Sequence, residues 1–404
     1  MKRFAFSRLA LPALLGASIF LLIPSLAFAG WVSQTSGTTN WLYSVHFPMD
    51  ASTGYAVGDG GTVLKTTNGG TNWVTQTSGT TTFLESVHFP LDAQTGYSVG
   101  GSGTILKTTN EGADWVPQTS GTTNVLNSVH FPRNDTGYAV GDGGTVLKTT
   151  NGGENWTRQT SGTTSFLLSV HFPLNASTGY AVGDTFLKTT DGGANWVGQT
   201  SPIPTLLYSV HFPADALTGY TVGHGGTILK TTDGGEAWVL QPWGATRWLY
   251  SVHFPLNAST GYVAGDLRGN ILKTTDGGAN WVLQTSDTTS TLFDVHFPVD
   301  ALTGYAVGYN GTILKTSDGG SGVEEDRNAE RGMRNAELRI TPNPFGSFAT
   351  LPGHEAERFS LYDVSGRKVG TYRGDRVGEG LGPGVYFLKQ EGKNAEPLRI
   401  VKVR

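Results

Sequence analysis

The side chains able to do chemistry in this chain recur rather than converge. The tetrapeptide Val-His-Phe-Pro places histidines at His46, His88, His130, His171, His211, His253 and His296, spaced 40 to 43 residues apart. A ring of histidines invites a metal, but no copy supplies a second histidine or a carboxylate at ligand spacing. With 0 cysteines, thiolate sites and disulfides are excluded as well. The expectation is no metal and no cofactor, each imidazole facing a neighbouring copy and bridging polar groups across the boundary. Carboxylates recur too, at Asp59, Asp142, Asp184 and Asp266, each directly after a glycine. A pair of them about 5 to 9.5 Å apart could cleave a glycosidic bond, yet their regular turn positions explain them without catalysis. No Ser-His-Asp order or phosphate loop stands out, so no catalytic residue is assigned and the chain is read as a non-enzyme.

What must position these residues is a repeat. Around each histidine runs Leu-x-Ser-Val-His-Phe-Pro, then Thr-Gly-Tyr-Ala-Val-Gly, then Gly-Thr-Ile/Val-Leu-Lys-Thr-Thr-Asn/Asp-Gly-Gly, then Asn-Trp-Val-x-Gln-Thr-Ser-Gly. Each unit thus holds four short runs of β-branched and aromatic residues bounded by Gly, Pro, Asn and Asp, the pattern of strands. Strict alternation sets Tyr43, Val45 and Phe47 on one face and Leu42, Ser44 and His46 on the other. Packing residues on both faces suit a sheet held between two neighbours. Seven units of four strands predict an all-β chain whose main body is a seven-bladed β-propeller. The seventh copy stops at Gly320 without its Trp-Val run, and residues 31–37 repeat the sequence of that missing run. They are predicted to close the ring as the outermost strand of the last blade. The seven repeated lysines, Lys65 to Lys315, are expected along a solvated edge.

Before the repeats, Lys2, Arg3 and Arg8 precede an apolar run ending in Ala27-Phe28-Ala29, so residues 1–29 read as a secretory signal peptide. No second long apolar run follows, and no transmembrane helix is expected in the mature chain. Residues 30–320 form the propeller, 321–337 a charged linker, and 338–404 a small β-sandwich tail. The propeller carries 11 basic and 20 acidic residues, net −9, which disfavours nucleic acid or an anionic membrane as partner.

The run Thr66-Thr67-Asn68-Gly69-Gly70-Thr71-Asn72-Trp73 and its counterparts resemble the Asp-box of bacterial neuraminidase repeats. Joined to Gly-Tyr-Ala-Val-Gly and Gly-Thr-Ile-Leu-Lys-Thr, the unit is similar to the photosystem II stability and assembly factor family of seven-bladed propellers over residues 31–320. The resemblance implies a chaperone or scaffold for a membrane-protein complex, and the Asp-boxes imply a glycoside hydrolase as a further alternative. Neuraminidase chemistry needs three convergent arginines, whereas only Arg247 and Arg268 fall near the face that varies between repeats. The Asp-box itself has a structural role, its Asn or Asp side chain bonding its own turn while the glycines take positive φ. In the tail, Thr341-Pro342-Asn343-Pro344-Phe345, the run from Phe359 to Val369, Gly384 to Lys389 and Arg399 to Arg404 resemble a type IX secretion C-terminal sorting domain. That implies delivery through the periplasm, by the outer-membrane secretion machinery, to the cell surface or the medium.

The repeats diverge in three columns on one side of the ring. One holds Trp41, Phe83, Phe166 and Trp248, a second Tyr43, Glu85, Asn127, Leu168, Tyr208, Tyr250 and Phe293, and a third Asp59, Asp142, Asp184, His224, Asp266 and Tyr309. Aromatics with carboxylates around a channel mouth suit a glycan or peptide. Trp41, Tyr43, Asp59, Phe83, Phe166, Tyr208, Trp248, Tyr250 and Asp266 are the candidate ligand-binding residues, for an extracellular protein or glycan.

Overall fold

In the first blade Leu42–His46, Gly54–Gly58, Thr62–Thr66 and Val74–Gln76 pair antiparallel in chain order. The β-branched and aromatic runs make the strands, and the Gly-Gly turns break them. This computed structural model describes residues 30–320, apart from 91, 242, 245 and 270, and residues 358–402, apart from 364–366, 374, 383 and 391–397. The predicted signal peptide (1–29), the linker (321–337) and the start of the tail, with Thr341-Pro342-Asn343-Pro344-Phe345, lie outside the described residues. Seven four-stranded sheets follow one another, and the chain between 30 and 320 is a seven-bladed β-propeller. In the last sheet Leu292–His296, Gly304–Gly308 and Ile313–Thr316 are joined by Val32–Gln34 from the opposite end of the sequence, with Val32 opposite Lys315. The ring is closed as the missing strand predicts, and no blade edge is left open between its ends.

Blades are held to each other by one contact repeated seven times. Phe47 stacks on Tyr305 of the preceding blade at 3.8 Å while Trp73 meets Phe47 edge-on at 6.0 Å. Gly54 has to be glycine, because a Cβ there would run into the Phe47 ring. Each buried tyrosine then reaches forward: Tyr305 Oη donates to the carbonyls of Ala51 (2.8 Å) and Gly69 (3.1 Å) in the next blade. The Asp-box turn that offers Gly69 is fixed by its own side chains. Asn68 Oδ1 accepts the Asn72 N–H at 2.9 Å, Thr66 Oγ1 accepts the Gly70 N–H at 2.9 Å, and Gly69 and Gly70 sit at φ of 65° and 84°.

Two expectations are corrected here. The repeated lysines do not line a solvated edge: Lys315 Nζ donates to the Gly69 carbonyl at 2.7 Å, Lys107 to Gly152 at 2.6 Å and Lys148 to Gly192 at 2.7 Å. They are staples from each blade to the next Asp-box: six ammonium groups lie 5.5 to 5.8 Å from a tyrosine ring, and Lys188 instead meets the Glu236 carboxylate at 2.8 Å. The alternation in the inner strand also fails, because Leu42 pairs with Gly58 and Ser44 with Val57, which leaves Tyr43 as an extra residue. This β-bulge recurs in every inner strand and turns the residues after it to the other face. Leu42, Val45 and Phe47 are the buried core residues, while Tyr43 and His46 turn toward the central channel.

The tail is a separate unit. Its described residues form one four-stranded antiparallel sheet of Lys368–Arg373, Arg358–Asp363, Gly384–Gln390 and Leu398–Lys402 in that spatial order, with Phe359, Leu361, Val377 and Leu388 buried. The other layer of the expected sandwich is not among the described residues. Among the described residues no helix is long and apolar enough to cross a membrane.

Candidate functional site

The seven inner strands surround a channel, and each sends two tiers of side chains into it. The lower tier is the histidine ring. Neighbouring imidazoles stand 4.8 to 4.9 Å apart all the way round, the His296 and His46 pair included. His46 Nδ1 accepts the Phe89 N–H of the next blade at 3.4 Å, and His296 Nδ1 accepts the Phe47 N–H at 3.3 Å. The expected bridge across the blade boundary is present. It puts the proton on Nε2, a form that cannot ligate a metal through that nitrogen, and no grouping of His, Asp and Glu suited to a metal occurs among the described residues. Burial pushes the histidines down, His46 and His211 to about 4, and the positive charge of neighbouring rings lowers His88 and His130 further.

Above the histidines lies a belt of serines. Ser44 Oγ accepts the Val87 N–H at 3.3 Å, and the same bond repeats between the other blades. Only the seventh blade departs: Asp294 replaces the serine and accepts from Val45 N–H (2.9 Å) and Ser251 Oγ (2.7 Å). Burial lifts its carboxyl from 3.8 to about 6 in spite of these donors.

The upper tier is the channel mouth, built by the bulge residue of each inner strand. Here the seven positions differ. Tyr208, Tyr250, Phe293 and Tyr43 form a continuous arc over the fifth, sixth, seventh and first blades, with successive centroids 5.0, 5.4 and 5.3 Å apart. Trp41, 40% exposed, leans on Tyr309 at 4.3 Å, and Trp248, 45% exposed, lies 6.4 Å from Tyr250. Glu85, Asn127 and Leu168 complete the circle. Glu85 is half-buried and, among the described residues, has neither a hydrogen-bond nor an ion-pair partner. Burial, with the negative charge of Asp59 and Asp142, raises its carboxyl from 4.5 to about 7.

Of the nine predicted site residues, seven are brought together. Tyr43 Oη donates to Asp59 Oδ1 at 2.8 Å, so Asp59 supports the arc. Asp266 is held by Arg247 at 3.6 Å beside Trp248. Phe83 and Phe166 stand apart: Phe83 packs over Gly101, and Phe166 is exposed on the fourth blade. Phe293, Tyr309 and Glu85 belong to the site although the sequence does not single them out as ligand-binding. Their signal was the column: Phe293 and Glu85 occupy the place of Tyr43, and Tyr309 that of Asp59.

Known proteins share this architecture. The family model of the photosynthesis system II assembly factor YCF48 matches residues 23–117 and 71–163. A structure of YCF48 bound to D1 peptide aligns with a TM-score of 0.60 at 20% identity, covering 73% of this chain and 99% of that one. YCF48 from Cyanidioschyzon merolae aligns at 0.59 and 19%, covering 71% and 99%. The GH74 enzyme of Niastella koreensis aligns at 0.61 and 17%, covering 72% of this chain and 54% of that one. This chain therefore spans about half the length of that enzyme. No curated protein matches. The propeller is similar to YCF48 in its repeats and its fold, and at these identities the structural likeness shows the fold alone.

Proposed function

We propose that this chain is a secreted or cell-surface, non-enzymatic propeller that binds a protein or glycan partner at the bulge-lined channel mouth. The observation that carries the reading is the aromatic arc. Seven nearly identical blades need no such divergence to pack, yet the channel-mouth residues of four adjacent blades have become one contiguous ring-stacking surface, with Trp41 and Trp248 exposed above it. The relative solved with a D1 peptide lends weight to a peptide partner. Export rests on residues 1–29 and on the tail's likeness to a sorting domain. The test is an array of peptides and glycans probed with the full chain. Trp41→Ala and Trp248→Ala should each weaken the ligand found by about 1 to 3 kcal/mol with the blades intact. If both keep full affinity while an Asn68 variant abolishes binding without unfolding, the wrong face has been chosen.

A second reading, an assembly factor for a membrane-protein complex, is favoured by the YCF48 match. Cell fractionation separates the two, since co-purification with an inner-membrane complex supports assembly and recovery from the medium or the surface supports external binding. A glycosidase reading draws on the carboxyl of Glu85, raised by burial and by the charge of Asp59 and Asp142. Release of reducing ends from xyloglucan that disappears in Glu85→Gln would establish it.

A further inference from the structure

The mouth is divided by chemistry as well as by shape. One side is the arc of Tyr208, Tyr250, Phe293 and Tyr43, and the other carries Glu85 with Asp59 and Asp142 close enough to press on its charge. Asp59 is already occupied by the Tyr43 hydroxyl at 2.8 Å, and Asp142 accepts from Asn127 Nδ2 at 3.1 Å. Glu85 alone in this group is unanswered. Among the described residues no cation pairs with Glu85, and Arg247 is held by Asp266. A positive group entering the mouth would therefore meet a carboxyl group that has no partner on one side and aromatic rings on the other, the pairing by which such cages hold organic cations.

Size narrows the choice. The four arc residues stand 5.0 to 5.4 Å apart, a spacing that on a regular seven-fold ring sets the centroids about 6 Å from the axis, so the opening takes a segment end-on rather than a broad surface. An extended arginine or lysine side chain enters such an opening end-on and brings a charge to Glu85, which a neutral pyranose stacked on Trp41 or Trp248 does not. The net −9 of the propeller draws such a segment in.

We infer that the partner is a basic peptide segment, one of whose arginine or lysine side chains enters the channel mouth between Glu85 and the aromatic arc, while flanking apolar residues lie on Trp41 and Trp248. This rests on the reading of the aromatic face as the binding face. It adds the identity of the anchor.

The test uses the full chain and two peptides, acetyl-Leu-Phe-Arg-Phe-Leu-amide and its citrulline counterpart, which differ by a charge and hardly in shape. They are titrated by tryptophan fluorescence up to about 10 mM. The arginine peptide should bind at least tenfold more tightly, the lysine version should follow it, and Glu85→Gln, checked for an unchanged thermal melt, should erase the difference. Equal binding of both peptides, weakened by Trp41→Ala and Phe293→Ala, overturns the cationic anchor and leaves the aromatic face standing. Binding of a xyloglucan oligosaccharide at those aromatics with neither peptide bound does the same. Peptide binding indifferent to every aromatic variant overturns both. No binding of the arginine peptide at 10 mM overturns the anchor.

Discussion

Acidification should unfold this propeller through its histidine ring, and the size of the effect follows from the geometry. In the unfolded chain the seven imidazoles titrate near 6.5. In the ring, protonation at Nδ1 breaks the bond from the next blade's Phe N–H and sets positive charges 4.8 to 4.9 Å apart. Burial alone brings His46 and His211 to about 4. The folded pKa is thus depressed, the unfolded state binds more protons, and stability rises with pH. The contribution is complete above 6.5 and is lost as the pH falls through about 4. A drop from 6.5 to about 4 amounts to about 3 kcal/mol per histidine. The rings are partly exposed, and solvent screening lowers this to about 1 to 3 kcal/mol each. Seven such groups lose roughly 5 to 9 kcal/mol per pH unit where the unfolded histidines are charged and the folded ones are not. A stability of 5 to about 10 kcal/mol, within the usual range for a folded protein, is then consumed by about pH 5. Urea denaturation followed by tryptophan fluorescence from pH 8 to 4.5 measures this, since the slope of stability against pH counts the protons taken up on unfolding. His88→Gln with His130→Gln and His171→Gln should remove about three protons from that slope. A stability constant within about 1 kcal/mol between pH 7 and 5, or a slope indifferent to the triple variant, would refute the argument.

The odd residue of the serine belt predicts an opposite trend. Asp294 has its folded pKa raised from 3.8 to about 6, so the stability it has at low pH is lost as pH rises from about 3.8 to 6 and the cost is complete above 6. Asp294→Ser, which copies the other six blades, should gain about 1 to 3 kcal/mol at pH 8 and about half as much near pH 5, read from denaturation at pH 8 and at the lowest pH at which the fold persists. Trp31 is 2% exposed and meets Phe297 edge-on at 5.6 Å in the closing blade. Trp31→Ala should cost about 3 to 5 kcal/mol and lower the calorimetric melt, and an unchanged melt would deny the closure its energetic role. Lys315→Met keeps the apolar stem but removes the donor to the Gly69 carbonyl at 2.7 Å. The loss should be about 1 to 3 kcal/mol, seen as a lower urea midpoint.

How far the sequence leads depends on whether a residue's role repeats. Blade number, strand order and ring closure were legible because every copy must satisfy the same packing, and the displaced Trp-Val run at residues 31–37 could have no other sheet to complete. The faces of the inner strand were not, because period 2 holds only while the ladder is regular. Inserting Tyr43 opposite no partner returns Leu42 and Val45 to the same side although they are three residues apart. No composition marks that bulge, since the seven residues that occupy it range from the acid Glu85 through Asn127 and Leu168 to four aromatics. The lysines escape the sequence for a related reason: the group each one reaches belongs to the Asp-box of the next blade, about 45 residues on for Lys107 and Lys148 and back at Gly69 for Lys315, a pairing that only the folded ring creates. The same bulge accounts for the site. A regular strand would place its variable residue in the blade core, where Leu and Val are required in every copy, and it is the extra residue, pushed out toward the channel, that frees one position per blade from packing. Seven positions released in this way could diverge at almost no cost in stability, and it is there that an aromatic arc faces a solitary Glu85.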